Sequence, residues 1–189
     1  MIRIGILGDI GSGKSYVAER IGYPVFNADK EVIKLYKNDL KVFKQLTKSL
    51  PKFIYSFPIN KSEITAAILS NNSNLKKIIK IVHKEVRKKM NAFLIRNKKK
   101  RIVILDIPLL LENKINNKKD ILVFVESKRS DILKRLKKRN NFNEKLYKKF
   151  KSIQLPPSYK KMRSKFIIRN DFNNKSVKKS IKDILNQIK

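Results

Sequence analysis

The chain has 189 residues, 41% of them hydrophobic and 33% charged, which supplies apolar material for one α/β core and too little length for two full ones. It has no cysteine and a single histidine, His83; disulfides, thiolate chemistry and zinc–thiolate or histidine-rich metal sites are excluded, so any metal must be held by oxygen. The formal net charge of +32 would suit a nucleic-acid partner, but 37 lysines against 10 arginines lie scattered along the chain, so we expect a compositional bias with no dedicated nucleic-acid partner and a positive field that attracts anionic substrates.

In chain order, Ile2–Leu7 is a short apolar run that stops at Gly8, followed by a glycine-punctuated turn and a segment compatible with a helix from Gly13 to Ile21. The opening run is too short for a signal peptide, and no apolar stretch approaches the roughly 20 residues a membrane span needs, so a cytoplasmic protein without membrane contact, acting as a monomer, is expected. Val25–Asn27 reads as a second strand, with Asp29 where a helix N-cap would sit. Lys30 to Lys100 carries helical spacing, as at Val32, Leu35 and Tyr36 and again at Ile78, Ile79, Val82 and Val86, with Pro51 and Pro58 as breaks; an inserted helical subdomain is the expectation. Ile102–Leu105 and Ile121–Val125 read as buried strands, the first ending at Asp106. Residues 127–159 are basic and helical until Pro156-Pro157 ends them, the pattern of a mobile lid. Phe166–Ile168 is a last strand, and Val177, Ile181, Ile184, Leu185 and Ile188 mark one face of a closing helix. Strands alternating with helices predict a parallel sheet of about five strands covered on both faces.

Gly8-Asp9-Ile10-Gly11-Ser12-Gly13-Lys14-Ser15 satisfies G-x-x-x-x-G-K-[ST] directly after a strand and before a helix. The glycines let backbone N–H groups turn inward around phosphate oxygens, Lys14 reaches the transferred phosphate, and the Ser15 hydroxyl suits Mg²⁺; Tyr16 follows at the nucleotide. A P-loop NTPase-type three-layer fold follows. The loop alone means nucleotide binding, but the short chain has no room for large-ATPase machinery and no Asn/Thr-Lys-x-Asp guanine-reading run, so a small kinase using ATP is favoured.

Several segments, taken together, resemble the dephospho-CoA kinase family. They are Ile4–Gly8 running into Gly11–Ser15, Asn27-Ala28-Asp29, Leu105-Asp106-Ile107-Pro108-Leu109-Leu110-Leu111-Glu112, Leu133-Lys134-Arg135 with Arg139, Gln154, and Ile167-Ile168-Arg169-Asn170. The resemblance spans nearly the whole chain and implies ATP-dependent phosphorylation of the ribose 3′-hydroxyl of dephospho-CoA, the last step of coenzyme A synthesis. It implies a single domain with a nucleotide core (1–29, 101–126 and 160–189), a helical acceptor-binding insertion (30–100) and a lid (127–159). Asp29, at a strand end beside the loop, is expected to orient the hydroxyl and accept its proton, a role compatible with an N-cap. Asp106 takes the Walker-B-like place of a carboxylate on magnesium, or that of a turn residue. Pro108, Leu109 and Glu112 are expected at the acceptor, and Glu112 alternatively as an exposed loop glutamate. On a helix Arg135 and Arg139 would share a face and point at the phosphates, Arg139 in a catalytic role, with a solvated basic face as the alternative. Asn170 corresponds to a position near the adenine, or to a turn asparagine. His83 is expected to bind the acceptor, or to be a packed helix residue. The chain departs from the family pattern at Lys84, where His-Pro is usual, at Lys61, where an arginine is expected, and at Ser164-Lys165. Competing expectations are another small P-loop kinase acting on a nucleoside monophosphate or small metabolite, and a basic nucleotide-switched nucleic-acid-binding protein.

Overall fold

The computed structural model describes residues 1–140 and 142–188. Its centre is strand β1 (Ile2–Gly8), flanked by β3 (Ile102–Asp106) and β4 (Ile121–Glu126), with β2 (Val25–Asn27) and β5 (Phe166–Arg169) at the edges. The order is β2-β3-β1-β4-β5 and every pairing is parallel, the predicted five-stranded sheet. Parallel strands buried on both faces require near-continuous apolar runs, which is why all five residues of β3 are buried.

The side-chain period of two sorts these runs onto two faces. Ile4, Ile6, Ile102, Ile104, Val123 and Val125 point to one side and pack against α1 (Lys14–Arg20) and α9 (Asn174–Gln187), through Val17, Ala18, Val177, Ile181 and Ile184. Leu7, Phe26, Leu105, Leu122 and Phe124 point to the other side. There they meet the helices that follow β2: α2 (Ala28–Asn38), α3 (Leu40–Ser49), α4 (Lys61–Ser70) and the long α5 (Asn72–Arg96). The segment carrying Pro51 and Pro58 links α3 to α4, as the breaks predicted. Phe26 packs against Phe93 with ring centroids 5.6 Å apart, tying the edge strand to α5. Beyond β4 come α6 (Arg129–Lys137), α7 (Glu144–Ser152) and α8 (Pro157–Met162). No helix among the described residues is long and apolar enough to cross a membrane.

Three local expectations are corrected. The N-cap of α2 is Asn27, whose side chain accepts from Lys30 N at 2.8 Å, and Asp29 lies inside the first turn. Pro157 opens α8 rather than ending the basic segment, because proline at the first helical position loses no hydrogen bond. Helix α6 ends at Lys137, so Arg139 lies in the turn beyond it and does not share a helix face with Arg135. The abundant asparagine also has a structural use: Asn71, Asn143 and Asn173, like Asn27, cap helices with their side chains.

Candidate active site

Gly8, Asn27, Asp106, Glu126 and Arg169 end their strands along one rim of the sheet, Asn27 level with Asp106 and Glu126 with Arg169, the rim where ligands bind in open α/β folds. The loop from Gly8 to Ser15 leaves the central strand there. Gly13 is the N-cap of α1 with φ 88, a left-handed conformation that a side chain rarely adopts; a Cβ there would also collide with Asn170 Nδ2. The buried Ser12 is held from two sides, its carbonyl accepting from Asn170 Nδ2 at 2.8 Å and from Ser127 Oγ at 3.0 Å. Asn170 Oδ1 in turn accepts from Phe172 N at 3.0 Å, so this side chain, expected near the adenine, is committed to the loop itself. Removing such a buried donor costs about 1–3 kcal/mol. Asn170→Ala is expected to lower the melting temperature and raise the KM for ATP about tenfold with a smaller change in kcat, read by calorimetry and steady-state kinetics.

Lys14 extends back over the loop and donates to the carbonyls of Gly8 at 3.1 Å and Asp9 at 2.7 Å. Burial pulls its pKa down to about 8, against the pull of Asp106, Asp29 and Asp9, while Lys160 pushes the same way as burial. Asp106 is 3% exposed, accepts from Asn27 Nδ2 at 2.7 Å and takes a hydrogen bond from Ser15. Its pKa is raised, burial being the main cause, with Ser15 and Lys14 opposing. Asp29 is exposed by surface area, yet the protein packed around its carboxyl raises its pKa; Asp106 adds to the rise and Lys14 opposes it. The fold therefore gathers two carboxylates, a hydroxyl and an ammonium from three strand ends.

This set fits a Mg²⁺ ion. The Ser15 hydroxyl and Asp106 already meet, and two mutually repelling carboxylates gain from a cation nearby. Mg²⁺ takes one or two carboxylates and completes its shell with water and substrate phosphates.

The other predicted residues are placed as follows. Pro108, Leu109 and Glu112 line a cleft with Gly8, Lys14, Gln154 and Lys160. Glu112 is not an exposed loop glutamate: its Oε1 pairs with Lys160 Nζ at 2.9 Å and accepts from Leu155 N at 2.9 Å. Arg135 lies 4.2 Å from the centroid of the Phe172 ring, a stacked pair beside the loop. Arg139 is exposed in the turn after α6. Tyr16 turns to α9, its hydroxyl bonded to Asn174 and its ring 5.2 Å from the Arg20 guanidinium. His83 is half-buried in the middle of α5, its pKa lowered by burial and by Arg87; no hydrogen bond or ion pair joins it to the Lys14–Asp29–Asp106 group among the described residues.

Sequence reasoning missed Lys160, Phe172, Ser127 and the pair between Asp9 Oδ2 and Lys151 Nζ at 2.8 Å, which ties α7 to the loop. Among 37 lysines nothing in the spacing singles out two, and Phe172 follows a strand whose pattern has already stopped.

The chain as a whole is similar to known proteins. The family model described as dephospho-CoA kinase matches residues 2–176. A dephospho-CoA kinase of Wolbachia sp. subsp. Brugia malayi is 32% identical over 98% of this chain and 97% of its own, and one of Bartonella henselae is 32% identical over 87% of each. Among solved structures, a protein from Thermus thermophilus superposes with a TM-score of 0.81 at 26% identity over 100% of this chain and 98% of its own. A dephospho-CoA kinase from Campylobacter jejuni shares the fold, with a TM-score of 0.63 at 18% identity over 98% and 96%. With a family match over nearly its whole length and a phosphate loop facing paired carboxylates, the chain belongs to the dephospho-CoA kinase family.

Proposed function

We infer that the chain transfers the γ-phosphoryl group of ATP to the ribose 3′-hydroxyl of dephospho-CoA, giving ADP and CoA in coenzyme A biosynthesis. The observation that carries the residue roles is the meeting of Asp29, Asp106 and Lys14 at the rim where the loop leaves β1. The 3′-oxygen attacks the γ-phosphorus, the bond from that phosphorus to the bridging oxygen breaks toward ADP, and the hydroxyl proton passes to Asp29, whose raised pKa makes it the stronger base. Lys14 and the loop N–H groups bind the phosphates, and Arg135 and Arg139 serve the nucleotide from the segment after β4. Ser15 and Asp106 would hold Mg²⁺, which when bound would neutralise charge on the phosphates. Residues 30–100 take the acceptor, with His83, Pro108, Leu109 and Glu112 around it, and 127–159 act as the lid that excludes water. The protein acts on this reading as a monomer in the cytoplasm.

The test is incubation with ATP, Mg²⁺ and dephospho-CoA followed by mass detection of a product heavier by one phosphoryl group, with nucleoside monophosphates and shikimate as alternative acceptors. Efficient turnover of any of these in place of dephospho-CoA would refute the assignment. The pH profile adds a second check. With Lys14 at about 8 in the free protein, kcat/KM for ATP is expected to fall as pH rises through 8, because the neutral amine no longer binds phosphate. In the ATP complex the polyphosphate restores the ammonium, so the alkaline limb of kcat lies at higher pH.

A further inference from the structure

A lysine is rarely buried without a reason, because its ammonium loses water that one partner does not fully replace. Lys160 in α8 has a side chain only 3% exposed, and its partner Glu112, 2.9 Å away, is 10% exposed. Glu112 Oε1 is its only side-chain partner among the described residues, although the ammonium has three donors. The cleft it lines already contains Lys14, together with Gly8, Pro108, Leu109 and Gln154. Gln154 Oε1 is itself buried without a hydrogen-bond partner. Two ammonium groups thus share the cleft, and the Lys160 ammonium, whose one carboxylate partner also accepts from a backbone N–H, has donors to spare for a further oxygen ligand.

We propose that Lys160 is a catalytic residue, a second cationic contact for the phosphoryl group in transit, and that Glu112 is the positioning residue that aims it. The transferred phosphoryl spreads its charge over three equatorial oxygens. Lys14 reaches one side from the loop, and Lys160 donates from the side of Pro108 and Leu109, where the acceptor enters. No bond to Lys160 forms or breaks; the ammonium is preorganised against charge that grows in the transition state. The proposal rests on the phosphoryl-transfer reading above and assigns Glu112 a task different from acceptor contact.

The test compares the parent with Lys160→Met, Lys160→Arg and the double variant Lys160→Met/Glu112→Gln, using steady-state kinetics with ATP and dephospho-CoA and thermal melting. Losing one preorganised donor costs about 10²–10³ in kcat, so Lys160→Met is expected to fall by that factor with KM for ATP changed only a few-fold. Lys160→Arg should recover at least a tenth of the parent rate. The double variant carries neither charge, so it should melt near the parent yet remain as slow as Lys160→Met. If Lys160→Met keeps kcat within about threefold of the parent, or Lys160→Arg restores the melting temperature but not kcat, the pair merely holds α8 in place and the proposal is overturned. A parent unable to phosphorylate dephospho-CoA would instead overturn the underlying reading before any variant is made.

Discussion

Lys14→Ala is expected to abolish phosphoryl transfer, lowering kcat/KM by about 10³ or more, while the protein stays folded. The ammonium is the group of the loop that carries full charge to the transferred phosphoryl, and a methyl group replaces neither its charge nor its reach. Folding does not depend on it. Burial holds its pKa at about 8, well below the ordinary lysine value, so keeping the proton in the folded state works against stability at neutral pH. The unfolded chain retains that proton between about 8 and 10.5, so the parent gains stability as pH rises through this window. The variant lacks that rise. Its lost hydrogen bonds to Gly8 O and Asp9 O offset part of the relief, and the melting temperature at pH 7 is expected within a few degrees of the parent. A coupled ADP-release assay and calorimetry at pH 7 and pH 9.5 read both effects. A variant retaining a tenth of the parent activity would remove Lys14 from the transfer step.

Asp29→Asn is expected to lower kcat by about 10²–10⁴, the range for a positioned general base, with KM for ATP within a few-fold of the parent. The substitution is close in shape, and because Asn27 rather than Asp29 caps α2, no helix cap is lost with the charge. Its neighbour should respond: Asp106, relieved of a like charge, becomes easier to ionise. An acid limb of kcat that persists unchanged in an equally active variant would show that another group takes the proton.

The sequence made the sheet legible because both faces of a parallel sheet are buried. Ile102–Leu105 and Ile121–Val125 could serve only as interior strands, and they do, each running one residue further to a polar end, Asp106 and Glu126. The phosphate loop was legible because glycine at Gly8, Gly11 and Gly13 and Lys14-Ser15 meet constraints that few other turns impose. What was not legible depends on tertiary neighbours. The helical spacing of Arg135 and Arg139 carries no mark of where α6 stops. The missing proline after His83 has a physical answer only in the structure: α5 begins at Asn72 under the cap of Asn71 and runs through Lys84 unbroken. Ser164, a departure without an explanation in sequence, donates to Lys160 O at 2.8 Å and so braces the helix that carries Lys160.

The central strand has a bearing on how the molecule comes into being. Ile2 is paired with Ile102 and Ile4 with Ile121, so β1 has no hydrogen-bonding neighbour until about a hundred further residues have been synthesised, a wait of about 5–20 s at 5–20 residues per second. Through that interval its apolar side chains and unpaired amides stand open to the ribosome exit surface and to chaperones. The nucleotide pocket is among the last features of the nascent protein to become real, and slowing translation downstream of α5 would lengthen the period in which the chain is prone to aggregate.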